Sequence, residues 1–276
     1  MSSREHLTKT ATQWNVTVDE IRETESSLVG FGVRNGRRVV LKLTCSADEA
    51  RSGEVLKAFD EDGAVRVYEY EHGAVLLERL DPGEQLVALV RRGKDDEATN
   101  IIAEVIAKLA HHAPPAETPT VADWGRGFER YVQSGDQQVA SELVREAHDL
   151  FRDLAGSQRT TMLLHGDLQH YNVLFDNYRG WVAIDPKGVV GELEYEIGAL
   201  MRNPIEQPEL FTNRATIERR LGILTSLLPL DPRRVLRWCF AQAVLSAIWD
   251  VEDGVAVNTT HSGLRLASVL TKIIPH

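Results

Sequence analysis

Residues 165–175 read HGDLQHYNVLF, a short polar turn holding an acid, two histidines and an amide, followed at once by strand-forming residues. Asp167 and Asn172, with four residues between them, could each be an ordinary turn former. The residues downstream decide otherwise. A second strand-like run, Trp181 to Ile184, is joined to the first by the turn DNYRG and ends in Asp185 of IDPKG. A hairpin of this kind delivers Asn172 and Asp185 to one rim, with Asp167 beside them. Oxygen donors of this type suit a hard divalent cation such as Mg²⁺, and the remaining carboxylate, Asp167, can accept a hydroxyl proton during phosphoryl transfer.

Upstream, the chain from Ser26 to Arg79 reads as an antiparallel sheet. Strands are expected at Leu28 to Val33, Arg38 to Leu43, Val65 to Tyr70 and Ala74 to Glu78, with Asn35-Gly36 and His72-Gly73 as turns. One amphipathic stretch, Asp48 to Phe59, predicts a helix capped near Ser46 with Asp48 and Glu49 in its first turn. DPGE, after Leu80, reads as a hinge, and a boundary is expected there, dividing residues 1–79 from 80–276. Beyond it, helices are expected at Asp95 to His112, at about 122 to 134 and 137 to 155, and from about Glu194 onward. Met162 to Leu164 adds a short strand. A long helix should begin after Asp231-Pro232, where Asp can cap and Pro suits the first turn.

The bulk numbers narrow the function. A net charge of −10, from 31 basic and 41 acidic residues among 276, opposes a phosphate backbone and argues against nucleic acid as partner, while a cationic small molecule is easily accommodated. No apolar run approaches the roughly 18–20 residues of a membrane span. MSSREHLTKT has no apolar stretch, so neither a signal peptide nor a lipid anchor is expected. Cys45 and Cys239 alone form neither a disulfide framework nor a zinc spacing, which suits the cytoplasm. GFGVRNG has the outline of a dinucleotide fingerprint, but a strand rather than a helix follows it, and no P-loop motif occurs. His111, His112 and His170 lack partners at ligand spacing and are expected at the surface or in loops.

The order H-G-D, a spaced Asn, a strand pair and then I-D resembles the catalytic loop and metal-binding aspartate of kinase-like phosphotransferases. HGDLQHYNVLF together with GWVAIDPKGVVGELEYEIGALMRNP resembles the aminoglycoside phosphotransferase superfamily, and most closely its streptomycin 6-phosphotransferase and hydroxyurea kinase branch. SSLVGFGV, LLERLDPGE and LSAIWDVEDG extend the resemblance over nearly the whole chain.

The resemblance implies an α+β, protein-kinase-like fold of two lobes: a small antiparallel-sheet lobe and a larger, mainly helical one, with ATP and Mg²⁺ between them. It implies Asp167 as catalytic base, Asn172 and Asp185 as metal ligands, and Lys42 as the lysine that holds the ATP phosphates. A helix acid should pair with Lys42, and spacing alone does not separate Glu49, the first choice, from Glu54. Ser26 and Ser27 fall in the nucleotide-covering turn, and the backbone of Glu78 and Leu80 would meet adenine. His165 and Glu196 would support the catalytic loop. Asp250, Glu252 and Asp253, near one helix end, would face a cationic acceptor. The implied reaction is phosphorylation of streptomycin at its 6-hydroxyl. The alternatives are hydroxyurea or another small hydroxylated metabolite as acceptor, and a nucleotide-binding protein of pseudokinase type.

Overall fold

The computed structural model describes residues 3–24, 26–44, 46 and 49–274; Cys45 and Asp48 lie outside them. A helix, α1 (Ser3–Gln13), precedes five strands, β1 (Thr17–Glu23), β2 (Ser27–Arg34), β3 (Arg37–Thr44), β4 (Val67–Glu71) and β5 (Ala74–Glu78). The strands form one antiparallel sheet in the order β1-β2-β3-β5-β4. Successive strand residues point to opposite faces. Along β3, Val39, Leu41 and Leu43 therefore meet Leu7, Ala11 and Trp14 on and just beyond α1, while Val40 and Lys42 face the other way. Asn35 and Gly36 both take positive φ, the geometry of a tight two-residue hairpin turn.

The remainder is mainly helical. β6 (Pro82–Gln85), α3 (Val87–Arg91), α4 (Asp95–Leu109), α5 (Val121–Ser134) and α6 (Ser141–Gly156) lead to β7 (Met162–Leu164), then β8 (Val173–Asp176), β9 (Gly180–Ala183) and β10 (Val189–Gly191). α7 (Leu193–Met201), α8 (Pro208–Phe211), α9 (Arg214–Leu227), α10 (Pro232–Glu252) and α11 (Ser262–Leu270) complete it. β6, β8 and β9 form a three-stranded sheet, and β7 pairs with β10. α10 runs through the middle with Trp238, Phe240, Val244 and Ile248 all buried. Asp231 caps it, accepting from the amides of Arg233 at 2.9 Å and Arg234 at 3.2 Å, with Pro232 in the first turn as expected. Such a cap contributes about 1 kcal/mol. No helix among the described residues is long and apolar enough to cross a membrane.

Four local differences from the sequence reading have physical causes. α1 and β1 were not anticipated: β1 is exposed at six of its seven positions and carries no apolar alternation. The helix expected from Asp48 starts only at Ser52, because the Ala50 carbonyl accepts from Gly73 N at 2.9 Å instead of from the next helical turn. Glu49 thus lies in the turn before α2 (Ser52–Ala58), not on it. PGE of DPGE lies in a strand, β6, paired with β8 across a register shift at Gly83, whose φ is +72°. His170 lies in the turn before β8, a loop position as expected, but is fully buried, with the backbone of α3 bonded to its carbonyl.

Candidate active site

The turn 165–172 is held from several sides. Asn172 N donates to Gln169 O at 2.9 Å, and Ile184 N donates to Asn172 O at 2.9 Å, which ties the turn to the strand that ends beside Asp185. Asn172 Nδ2 donates to the carbonyl of Asp167 at 2.8 Å and to its Oδ2 at 3.1 Å. His165, completely buried, bonds the Ile184 carbonyl through Nε2 at 2.8 Å, and its Nδ1 accepts from Asp167 N at 3.3 Å. These contacts select the neutral Nε2–H tautomer, and burial holds the ring pKa below its ordinary value. Glu196 accepts from His165 N at 2.7 Å and Gly166 N at 3.0 Å, the bracing role expected of it. Its carboxyl is pushed up to about 7 by burial, against the pull of those amides.

Lys42 is 7% exposed and lies 2.9 Å from both Glu49 Oε2 and Asp185 Oδ1. Geometry thus separates the two candidate acids, since Glu54 instead bonds Arg51 at 2.9 Å. Burial favours the neutral amine, but the charges of Asp185 and Glu49 outweigh it and raise the Lys42 pKa. Ser26 Oγ donates to Glu49 Oε1 at 3.2 Å, steadying the acid. Ser27 turns inward, its hydroxyl 2.8 Å from that of Thr24.

Lys42 and Asp185 line a cleft of about 590 Å³ together with Val29, Leu77, Glu78 and Leu174. Glu78 N donates to Arg66 O at 3.0 Å, and its carboxylate is held by Arg179 and by Arg66 N. The Leu80 amide, also on the cleft, has no acceptor among the described residues. Phe31 forms part of the wall, with the guanidinium carbons of Arg22 and Arg79 4.8 and 4.9 Å from its ring centre.

Asn172 and Asp185 fit a magnesium ion by donor chemistry. Asn172 aims its Nδ2 at Asp167 and Asp185 gives Oδ1 to Lys42, so each keeps an oxygen that accepts no hydrogen bond among the described residues. Asp185 has φ of +56°, an uncommon conformation for a non-glycine residue and one that clusters at functional turns.

A second cavity, about 430 Å³, reaches the turn at Gly166 and is lined also by Trp124, Lys187, Arg202, Trp249 and the acids 250, 252 and 253. The three acids named from sequence do converge there, but two are engaged. Asp250 Oδ2 is 2.7 Å from His261 Nε2, and Glu252 takes a two-pronged contact from Arg130 at 2.9 Å on each oxygen. Asp253 has no ion-pair partner among the described residues.

A family model described as aminoglycoside/hydroxyurea antibiotic resistance kinase matches residues 13–254. The chain belongs to this family. It is 32% identical to a streptomycin 3''-kinase of Klebsiella pneumoniae over 88% of this chain and 91% of that one. It is 30% identical to a streptomycin 6-kinase of Streptomyces griseus over 94% of this chain and 86% of that one. A crystal structure of aminoglycoside phosphotransferase APH(4)-Ia, in a ternary complex with ADP and hygromycin B, superposes with a TM-score of 0.66 over 98% and 99% of the two chains at 17% identity. The fold of this resistance-kinase family member is therefore the protein-kinase-like one expected, and the chain is a phosphotransferase of the aminoglycoside O-phosphotransferase type.

Asp123, Trp124, Lys187 and Arg202 are among the residues lining the kinase's second cavity that the sequence did not mark as site residues. Lys187 and Arg202 stood in quoted motifs, IDPKG and MRNP, and the signal was a cationic charge in each. Asp123 and Trp124 gave none beyond a helix start, where Asp123 closes a capping box with Thr120.

Proposed function

We propose that this kinase transfers the γ-phosphoryl group of ATP to a hydroxyl of a streptomycin-type aminoglycoside, with the 6-hydroxyl as acceptor and antibiotic resistance as the consequence. The observation that carries the reading is that one short segment reaches both cavities: Asp185 lines the larger, and Lys187, two residues on, lines the other. A donor in one and an acceptor in the other would meet at the turn bearing Asp167.

In this reading residues 1–79 and the connector supply the donor site of a cytoplasmic enzyme, and residues 80–276 supply the catalytic turn and acceptor site. The Glu78 carbonyl and the Leu80 amide bond adenine. Lys42, held by Glu49 and Ser26, contacts the phosphates, while Ser27 shapes the covering turn. Asn172 and Asp185 hold Mg²⁺, which when bound neutralises phosphate charge. Asp167 orients the acceptor hydroxyl and takes its proton as the new O–P bond forms. The bond from the γ-phosphorus to its bridging oxygen breaks, and ADP leaves with that electron pair. Most of the rate enhancement is positioning and charge compensation.

Asp253, which has no ion-pair partner among the described residues, attracts a guanidinium group beside Asp250 and Glu252, and Trp124 and Trp249 offer flat surfaces to sugar rings. A cavity of about 430 Å³ is matched to a multi-ring acceptor and is far larger than hydroxyurea fills. The test is catalytic efficiency with Mg-ATP on streptomycin, hydroxyurea and cellular sugars, with the phosphorylated hydroxyl located in the product. Preference for streptomycin by about 100-fold or more, with phosphate on the 6-hydroxyl, supports the reading. Phosphate on the 3''-hydroxyl corrects the position. Equal or better turnover of hydroxyurea or a sugar, or nucleotide binding without turnover, overturns it.

A further inference from the structure

Twelve residues of α10 are buried, and eleven of them are Val, Leu, Trp, Cys, Phe, Ala or Ile; the twelfth is Gln242. A buried amide is costly unless both its ends are bonded. Gln242 Nε2 donates to the Tyr195 carbonyl on α7 at 2.6 Å, which fixes which end of the amide is which. Its Oε1 is thereby left to accept from Arg202 Nη1 at 3.3 Å. The amide lies over Gly198: a β-carbon there would come within 2.6 Å of Gln242 Nε2 and closer still to Oε1 and Cδ. No other residue at 198 leaves the Gln242 amide where it is.

The other end of Arg202 points at the catalytic turn. Its Nη2 stands 3.7 Å from Asp167 Oδ1, and its side chain is 15% exposed. Asp167 is therefore approached from two sides, by Asn172 Nδ2 at Oδ2 and by the Arg202 guanidinium at Oδ1. A guanidinium in such partial shelter, with one neutral acceptor and one carboxylate near it, is attracted to the carboxylate more strongly than in open water. Its fork direction is set by whatever holds the far nitrogen.

We propose that Gln242 is a positioning residue for phosphoryl transfer: it aims Arg202 at Asp167, and Gly198 is the opening that admits it. The proposal rests on the reading of Asp167 as the base. It adds that the carboxylate is oriented by a chain running Tyr195 O, Gln242, Arg202, Asp167, anchored between α7 and α10. A misplacement of a reacting group by an ångström lowers rates by up to about 100-fold, which sets the size of the expected effect.

The experiment is a double-mutant cycle on turnover of Mg-ATP and streptomycin, with melting temperatures measured alongside. Gln242→Leu should lower kcat between about tenfold and 100-fold, with KM for ATP changed less than about twofold. In an Arg202→Ala background the same change should cost less than about twofold, because the residue it acts through is gone. Gln242→Met, also close to glutamine in volume, serves if the leucine variant does not fold. Gly198→Ala, which displaces the amide while leaving it in the chain, should reproduce the loss of kcat. An unchanged kcat in the Gln242 variants, or a full additional loss in the Arg202→Ala background, overturns the proposal. Asp167→Asn separates this from the reading beneath it: if that variant turns over like wild type, the assignment of the base has failed, independently of Gln242.

Discussion

Replacing Lys42 by methionine removes the ammonium that Glu49 and Asp185 share and leaves two carboxylates facing each other across a cleft wall. Each was 2.9 Å from Lys42, and their side chains are 17% and 29% exposed. Breaking a fully buried pair costs about 3–5 kcal/mol. Water reaches both acids here, so the cost should fall to about 2–3 kcal/mol, which for a chain of this size lowers Tm by roughly 5–10 °C. The directions of the shifts give the pH dependence. Lys42 has a raised pKa, so its contribution is fully present below its ordinary value near 10.5 and is lost only as pH rises through the higher folded one. Glu49 has a lowered pKa: burial raises it, but the charge and hydrogen bond of Lys42 outweigh that. Its contribution is present above its ordinary value near 4.5 and is lost as pH falls through the folded one. The Tm gap between wild type and Lys42→Met should therefore be widest at about pH 6 to 9 and narrow toward pH 4, as the contribution of Glu49 is lost. Differential scanning calorimetry of the nucleotide-free proteins at pH 8 and pH 4 reads it. A gap below about 2 °C at pH 8, or one that does not narrow on acidification, would show that Lys42 does not hold the two acids together in this way.

Asp167→Asn should keep nucleotide affinity within about threefold while lowering kcat by about 10²–10⁴, the range for loss of a general base; isothermal titration and steady-state kinetics separate the two. Glu196 has a folded pKa raised to about 7, so its contribution is fully present below its ordinary value near 4.5 and is lost as pH rises through 7. Wild type should accordingly lose more Tm than Glu196→Gln between pH 5.5 and pH 8, and equal losses would count against a buried, titrating Glu196. Asp253→Asn should raise KM for streptomycin about threefold to tenfold, less so in high salt, with KM for ATP unmoved. Arg220→Met should be among the most destabilising single changes, at about 3–5 kcal/mol, because it removes a buried guanidinium 2.6 Å from Asp95 that also bonds the Leu200 and Asn203 carbonyls, leaving the buried acid only Arg219 at 3.2 Å; urea unfolding measures it.

The turn and hairpin carrying Asp167, Asn172 and Asp185 were legible in the sequence because their chemistry is local: a polar turn, two short strands and a second acid within about twenty residues. The choice of Glu49 over Glu54 was not, since it depends on the Ala50 carbonyl being drawn to Gly73 and on Arg51 claiming Glu54. β1 stayed hidden because an exposed edge strand needs no alternation, and DPGE read as a hinge because its partner, β8, is some ninety residues away. Among the described residues His170 has no hydrogen-bond partner at either ring nitrogen, and its pKa is driven to about 3, by burial first and then by Arg220. Nothing in HGDLQHYN distinguishes it from a solvent-facing turn residue. The acids of the second cavity were visible as a cluster, but the partners that contact two of them, Arg130 and His261, come from other parts of the chain. Arg202, whose contact with Asp167 spans the distance from α7 to the catalytic turn, belongs to the same class of tertiary information.

Activation of an aminoglycoside hydroxyl by Asp167, for attack on ATP, is the step on which the proposed function stands. Phosphorus NMR of streptomycin incubated with Mg-ATP and the purified protein observes the product of that step itself. A single phosphomonoester on the 6-hydroxyl is expected, formed by wild type and reduced at least about 100-fold in Asp167→Asn. Release of ADP without any ester, or ester formation by Asp167→Asn at the wild-type rate, would contradict it.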